Sequence, residues 1–120
     1  MKISQHVPSL QSEIIGEYDD DCGLCYFRGI PYATVNKRWT HSQTRHSLES
    51  PFDATKFGPR CVQEEGAVLV SGGTHDPTPG DDEFECLNLN ITVPRECLSR
   101  LADGRTMKKL PVMFWIHGLV

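Results

Sequence analysis

The fold class is decided by residues 111–118, whose sequence is PVMFWIHG. Five consecutive apolar residues follow the proline with no polar position among them, and a His-Gly pair ends the run. A strand with one solvated face alternates apolar and polar residues, whereas a strand covered on both faces is apolar throughout. This stretch therefore predicts a strand in the middle of an α/β sheet.

A half-buried strand and a short helix precede this run. In residues 87–93, LNLNITV, every odd position is apolar and every even position is polar, and Pro94 closes the pattern. Such alternation is typical of a strand with one buried face. Residues 95–101 are expected to form one or two helical turns.

Toward the N-terminus the sequence predicts a small antiparallel hairpin. Two apolar pieces, at residues 14–15 and 24–27, flank an acidic run that ends in Gly23, and a turn is expected at residues 21–23. Gly29, Ile30 and Pro31 are expected to break regular structure, since proline has no amide donor and restricts the residue before it. Residues 1–11 are polar and predict a loose terminus.

Composition favours an ordinary globular protein. The chain has 120 residues and a net charge of -4, so no overall basic field favours nucleic acid as a partner. No apolar run approaches the roughly 20 residues that span a bilayer, and no signal peptide is visible, so the default expectation is a cytoplasmic protein without a membrane span. Five cysteines do not suggest a dense disulfide framework.

A central strand requires neighbouring strands, and helices on both faces of the sheet. Amphipathic helical segments that could cover a sheet are almost absent from this sequence. Residues 1–120 are therefore interpreted as the N-terminal portion of one larger α/β domain in which the central sheet has only begun.

Four blocks of sequence resemble the N-terminal region of the type-B carboxylesterases, a family of α/β hydrolases that includes cholinesterases and fungal esterases and lipases. They occur in the family's order and span about ninety residues: FRGIPYA at 27–33 with Arg38-Trp39, FDATKFGPRCVQ at 52–63, ECLNLNITVP at 85–94, and PVMFWIHG at 111–118. The resemblance implies an α/β-hydrolase fold and a serine ester hydrolase that needs no cofactor and acts on a small-molecule ester.

In such enzymes a serine within Gly-x-Ser-x-Gly attacks the ester, a histidine carries the proton, and an acidic residue orients the histidine. No Gly-x-Ser-x-Gly occurs in these 120 residues, and none of the five histidines matches the catalytic one by position. Only the edge of the oxyanion loop is present, at His117, Gly118 and Leu119, with Leu119 and Val120 where the family has glycines. The chain by itself is therefore expected to lack esterase activity.

The resemblance also implies a disulfide between Cys61 and Cys86, which would close the glycine-rich and proline-rich loop between them. The alternative is a pair of reduced thiols. The family's ion pair to the arginine that corresponds to Arg38 is placed in doubt, because Phe84 stands where a glutamate is common. Glu85 is either its substitute or a solvated residue. Arg38 and Trp39 are expected to dock behind the 27–33 turn.

Two other functions remain open. A zinc-binding module would use Cys22, Cys25, His41 and His46, whose spacing falls within the range of a two-Cys, two-His site. The interior disfavours it, because Gly29, Ile30 and Pro31 occupy the place of a small finger's core, and no metal is expected. A non-catalytic esterase-like interaction protein would fit the replaced glycines at Leu119 and Val120.

Overall fold

The structure is a computed structural model that describes residues 1–62, 79–102 and 110–116, with only the backbone described for 99–102. Its main sheet has five strands. Strands β1 (Lys2–Val7), β2 (Ser12–Asp19), β3 (Leu24–Pro31) and β7 (Asn88–Pro94) lie in that order, and each is antiparallel to the next. Strand β6 (Phe52–Asp53) pairs in parallel with β2.

Shorter elements surround this sheet. A single 3-10 turn (Pro8–Leu10) joins β1 to β2, and strands β4 (Ala33–Thr34) and β5 (Gln43–Thr44) form a two-stranded sheet of their own. Helix α1 (Arg95–Ala102) follows β7 directly, as expected for residues 95–101. None of the helices in the described ranges has the length and apolar character of a membrane span.

The predicted hairpin of β2 and β3 is confirmed. Asp19 pairs with Leu24, and the Gly23 amide donates to the Asp19 carbonyl at 2.9 Å. The Asp21 amide donates to Asp19 Oδ1, and Gly23 has a φ of +70°, a left-handed conformation that glycine adopts without strain. The acidic run is thus a turn built by its own side chains.

The prediction of a loose N-terminus is wrong. Residues 2–7 form β1, paired with β2 from Lys2 opposite Glu17 to Val7 opposite Ser12. Exposed and partly buried residues alternate along β1, and Ile3 and Val7 pack against the core. The two apolar residues are sufficient because β2 supplies the hydrogen bonds and the rest of the buried face.

The predicted break at Gly29, Ile30 and Pro31 is also wrong, because β3 continues through Pro31. Its pairing with β7 shifts between Phe27 and Ile30, which is the signature of a β-bulge. Gly29 has a φ of +64° and supplies the conformation that the bulge requires. The sheet absorbs the extra residue and does not end there.

The core lies on one side of β2 and β3 and under β6. Its five buried members are Ile14, Cys25, Phe27, Ile30 and Ala54. Leu89 and Val93 of β7 and Leu98 of α1 pack against it. Leu89 and Val93 therefore contact the core, as the alternating pattern predicted, but Ile91 between them is 46% exposed.

The predicted central strand at residues 112–116 does not form in this chain. These residues have no regular secondary structure, and each side chain is at least 75% exposed. Such a run is stable as a strand only when both faces and both backbone edges are covered. No strand among the described residues pairs with it.

Candidate functional site

The β-bulge of β3 and the loop that follows β6 are fastened together by two asparagines of β7. The Gly29 amide donates to Asn90 Oδ1 at 2.9 Å, and Asn88 Nδ2 donates to the Pro59 carbonyl at 2.8 Å. A Cβ added at Gly29 would lie 2.6 Å from the Gly58 amide nitrogen, so the two backbones touch. Asn88 and Asn90 thus hold the bulge at Gly29 against the loop that contains Gly58.

Arg28 of β3 contacts β2 and the residues that follow β6. Its guanidinium forms an ion pair with Glu17 and donates to the Thr55 carbonyl at 3.3 Å. It also lies 4.9 Å from the ring centroid of Tyr26 and 5.1 Å from that of Phe57. Its charge is compensated and its plane is stacked, so this arginine is a positioning group and offers no free cation to a substrate.

Arg38 pairs with Glu83 through two parallel hydrogen bonds, and neither Phe84 nor Glu85 takes that role. The guanidinium lowers the pKa of the Glu83 carboxyl by hydrogen bonding to the charged form. Glu85 lies 3.6 Å from Arg45 instead. The ion pair that the sequence placed in doubt is therefore present, and its acidic partner is Glu83, one residue before Phe84.

Trp39 does not dock behind the 27–33 turn, since its side chain is fully exposed. Its φ of +64° lies in the left-handed region, which is unusual for a bulky residue. The ring borders an open depression of about 400 Å³ that Val35, the Arg38–Glu83 pair and Phe84 complete. No serine, cysteine or histidine lines this depression, and the carboxylate that does, Glu83, is held by Arg38.

Cys61 and Cys86 are both thiols in the structure, and they lie within hydrogen-bonding reach of each other. Partial burial, followed by the hydrogen bond with Cys61, raises the pKa of Cys86 to about 11. Next to Cys61, Arg60 pairs with Asp81 through a backbone bridge and an ion pair. The ends of the intervening loop are thus held by polar contacts without a disulfide, and the Cys61–Cys86 bridge stays a prediction.

The four candidate zinc ligands are not brought together. Cys25 is fully buried in the core, while Cys22, His41 and His46 are exposed. No group of three or more possible ligands converges within the part of the chain that the structure describes. The spacing that permitted a metal site belongs to a buried strand residue and three surface residues.

Ser4, Glu13 and His6 meet on the exposed surface of β1 and β2. Ser4 Oγ donates to Glu13 Oε1, and His6 Nδ1 lies 3.7 Å from Glu13 Oε2. In a nucleophilic triad the histidine stands between the hydroxyl and the acid, because it must take the hydroxyl proton. Here the glutamate stands in the middle, so this cluster cannot activate the serine.

The family model described as "Carboxylesterase family" matches residues 6–119, almost the whole sequence. The chain belongs to the carboxylesterase family. Two curated members are each 36% identical to it: the esterase cest-33 of Caenorhabditis elegans, over 82% of this chain and 17% of the relative, and lipase 1 of Yarrowia lipolytica, over 80% and 18%.

A solved thermophilic PNB esterase has a similar fold, with a TM-score of 0.58 and 26% identity over 72% of this chain and 18% of that chain. The prediction of an α/β-hydrolase fold is thereby confirmed, and the antiparallel strands of this chain are those of its N-terminal part. The chain spans less than a fifth of the length of these relatives.

The carboxylesterase oxyanion loop predicted at His117, Gly118 and Leu119 lies outside the described residues. The residues that the sequence reasoning missed are Asn88, Asn90 and Glu83, which position loops and carry no chemistry themselves. Asn88 and Asn90 were counted only as the solvated face of a strand. The signal in the sequence is that both polar positions of this strand are asparagines, whose side-chain amides can donate and accept hydrogen bonds.

Proposed function

We propose that residues 1–120 form the N-terminal portion of a single type-B carboxylesterase domain, and that the catalytic serine, histidine and acidic residue lie in another part of the protein. The observation that carries this proposal is the family match over residues 6–119. The small share of each relative that the chain spans supports it further. The substrate would be a small carboxylic ester, and neither nucleic acid nor a cofactor takes part.

In this proposal the chain contributes structure to the reaction. The serine attacks the ester carbonyl, and backbone amides of the loop at His117, Gly118 and Leu119 help to hold the oxyanion that develops. One such donor is typically worth about 3 kcal/mol in the transition state. Gly29, Gly58 and the asparagines of β7 hold the loops of the framework on which the rest of the domain packs.

The 120 residues by themselves are expected to be inactive. They contain no Gly-x-Ser-x-Gly segment; the nearest match, at residues 69–73, begins with leucine in place of glycine. The exposed Ser4 cannot substitute, because Glu13 separates it from His6. Within the part of the chain that the structure describes, an ester would meet no serine paired with a histidine that could activate it.

The purified 120-residue chain should be assayed on a short-chain nitrophenyl ester, with and without a serine-directed organophosphate, after circular dichroism has shown that it is folded. We expect hydrolysis at the buffer rate in both samples. Turnover that the organophosphate abolishes would contradict the assignment of the triad to another part of the protein. A Ser4→Ala variant shows whether any residual rate comes from the Ser4 cluster.

Sequencing the transcript that encodes this chain discriminates between the proposed enzyme and a non-catalytic interaction protein. Codons for Gly-x-Ser-x-Gly in the same reading frame downstream of residue 118 would support an esterase. A frame that continues through the family's length without that motif would support the interaction protein, in agreement with Leu119 and Val120 in the place of glycines.

A further inference from the structure

The side chain of Asn88 spans the neck of the loop between Cys61 and Cys86. Asn88 Nδ2 donates to the Pro59 carbonyl at 2.8 Å and to the Glu85 carbonyl at 3.3 Å. Pro59 stands two residues before Cys61, and Glu85 stands directly before Cys86. A side-chain amide nitrogen carries two hydrogens. Each of them is therefore used on one end of the loop.

Gly58 gives Asn88 the space for these contacts. A Cβ added at Gly58 would lie 2.5 Å from Asn88 Cγ, so the amide packs directly on the glycine backbone. The Asn88 backbone amide also donates to the Cys86 carbonyl at 2.9 Å. Asn88 belongs to β7 and is paired with Pro31 of β3. The sheet thus fixes Asn88, and Asn88 holds the two ends of the loop.

Arg60 and Asp81 close the same neck a second time. The Arg60 amide donates to the Gly80 carbonyl at 3.1 Å, and the Arg60 carbonyl accepts from the Asp82 amide at 3.0 Å. The Arg60 guanidinium forms an ion pair with the Asp81 carboxylate. Polar contacts therefore bring the ends of the loop together while both cysteines are thiols.

We propose that this polar neck, with Asn88 as its clasp, positions Cys61 and Cys86 so that a low-molecular-weight disulfide such as glutathione disulfide oxidises them as a pair. Two electrons and two protons leave the thiols as the Cys61–Cys86 bond forms. The S–S bond of the oxidant breaks as it takes them up, and it becomes two thiols. The loop keeps the same ends in both states, so the cysteines are a reversible redox pair in a neck that does not depend on them.

The neck raises the effective concentration of one thiol at the other. Residues 62–85 separate the two cysteines in the sequence. A flexible chain gives its ends an effective concentration on the order of millimolar, and fixing their geometry raises this value. The thiols of Cys61 and Cys86 already lie within hydrogen-bonding reach of each other. The pair is thus preorganised for the exchange.

Equilibration of the 120-residue protein in glutathione redox buffers, followed by acid quench, alkylation and peptide mass spectrometry, measures this effective concentration. In the wild type we expect a Cys61–Cys86 disulfide, with an effective concentration at least about tenfold above that in concentrated urea. Asn88→Asp should lower the native value by about tenfold, the worth of two ordinary hydrogen bonds. A carboxylate has the shape of the amide but no hydrogen for either carbonyl.

Asn90→Asp is the matched control, because it makes the same exchange on the same strand, and its carboxylate still accepts the Gly29 amide. It should leave the effective concentration unchanged. Asp81→Asn weakens the pair with Arg60 and should lower the value, also where circular dichroism shows Asn88→Asp to be unfolded. Equal values for Asn88→Asp and Asn90→Asp, no change in Asp81→Asn, or glutathione on Cys61 without a bond to Cys86 would overturn the proposal.

Discussion

Gly29 is the residue at which the framework tolerates least change. Its φ of +64° disfavours any side chain, and a Cβ there would lie 2.6 Å from the Gly58 amide nitrogen and 2.8 Å from the Lys56 carbonyl oxygen. Gly29→Ala combines backbone strain with a clash against backbone atoms, so we expect it to lower the free energy of unfolding by about 3 kcal/mol. Urea denaturation followed by circular dichroism measures the change.

Gly23→Ala is the matched control for this prediction. Gly23 has nearly the same φ, +70°, but nothing lies within 4 Å of an added Cβ. Only the strain of a left-handed conformation remains, roughly 1–2 kcal/mol. Equal losses in the two variants would show that the contact between Gly29 and Gly58 does not determine stability.

Cys86 is expected to react with alkylating reagents more slowly than the exposed Cys22. Burial and the hydrogen bond with Cys61 raise the pKa of Cys86 to about 11, and the thiolate is the reactive form. At pH 8 iodoacetamide should modify Cys86 at least tenfold more slowly than the exposed Cys22, with a rate that rises steeply as the pH approaches 11. Peptide mass spectrometry measures both rates.

Two results would change this picture of the cysteines. Equal labelling of Cys86 and Cys22 would contradict the raised pKa. If neither Cys61 nor Cys86 is labelled until a reductant is added, the predicted disulfide is present. The raised pKa of Cys86 also makes the stability of the protein depend on pH. A thiol whose pKa is raised on folding stabilises the protein below the unfolded pKa near 9, and this contribution is lost as the pH rises through 11.

At the scale of elements, the turn before β7 depends on one carboxylate. Asp82 Oδ1 accepts the amides of Phe84 and Glu85, and these hydrogen bonds lower its pKa. A lowered pKa stabilises the fold above the unfolded value of about 3.8 and ceases to do so as the pH falls through the folded value. Asp82→Ala should therefore lower the urea midpoint more at neutral pH than in acid, where the carboxylate of the wild type becomes protonated.

Asp82→Asn is the control, since its amide oxygen can accept the same two hydrogen bonds without a charge. It should lose less stability than Asp82→Ala at neutral pH and show a weaker dependence on acid. A difference between wild type and Asp82→Ala that persists unchanged to pH 2 would mean that the ionised carboxylate is not what orders this turn.

Elements with local causes were predictable from the sequence. The hairpin of β2 and β3 follows from an acidic turn with a glycine, and β7 from strict alternation closed by Pro94. Strand β1 was missed because its pairing comes from β2 and not from its own composition. The bulge at Gly29 was taken for an end of structure, since sequence shows the disruption but not the sheet that absorbs it.

The features of the candidate site were also predictable only in part. The family blocks located the framework, but the ion pair of Arg38 was left in doubt, because its partner Glu83 could be identified only once the fold of the 82–85 turn was known. Trp39 was expected to dock behind the 27–33 turn, whereas the structure leaves its side chain fully exposed. Segment 112–116 has the composition of a central strand, yet a strand forms only where a partner covers it.

At the scale of the whole molecule, stability rests on a small core beneath β2 and β3. Phe27 is its largest member and is 5% exposed, whereas Phe84 is 38% exposed beside Trp39. Phe27→Ala should lower the free energy of unfolding by about 3–5 kcal/mol. Since a typical domain is stable by only about 5–15 kcal/mol, this change removes a large part of the total.

Phe84→Ala removes the same side chain from a surface position and should cost far less. Urea denaturation monitored by far-ultraviolet circular dichroism gives both values. A Phe27→Ala protein without a cooperative transition would agree with the prediction, because the loss then exceeds the stability of the chain. Equal effects of the two substitutions would contradict this prediction. They would mean that the packing of Phe27 against Ile14 and Cys25 is not what stabilises this part of the carboxylesterase fold.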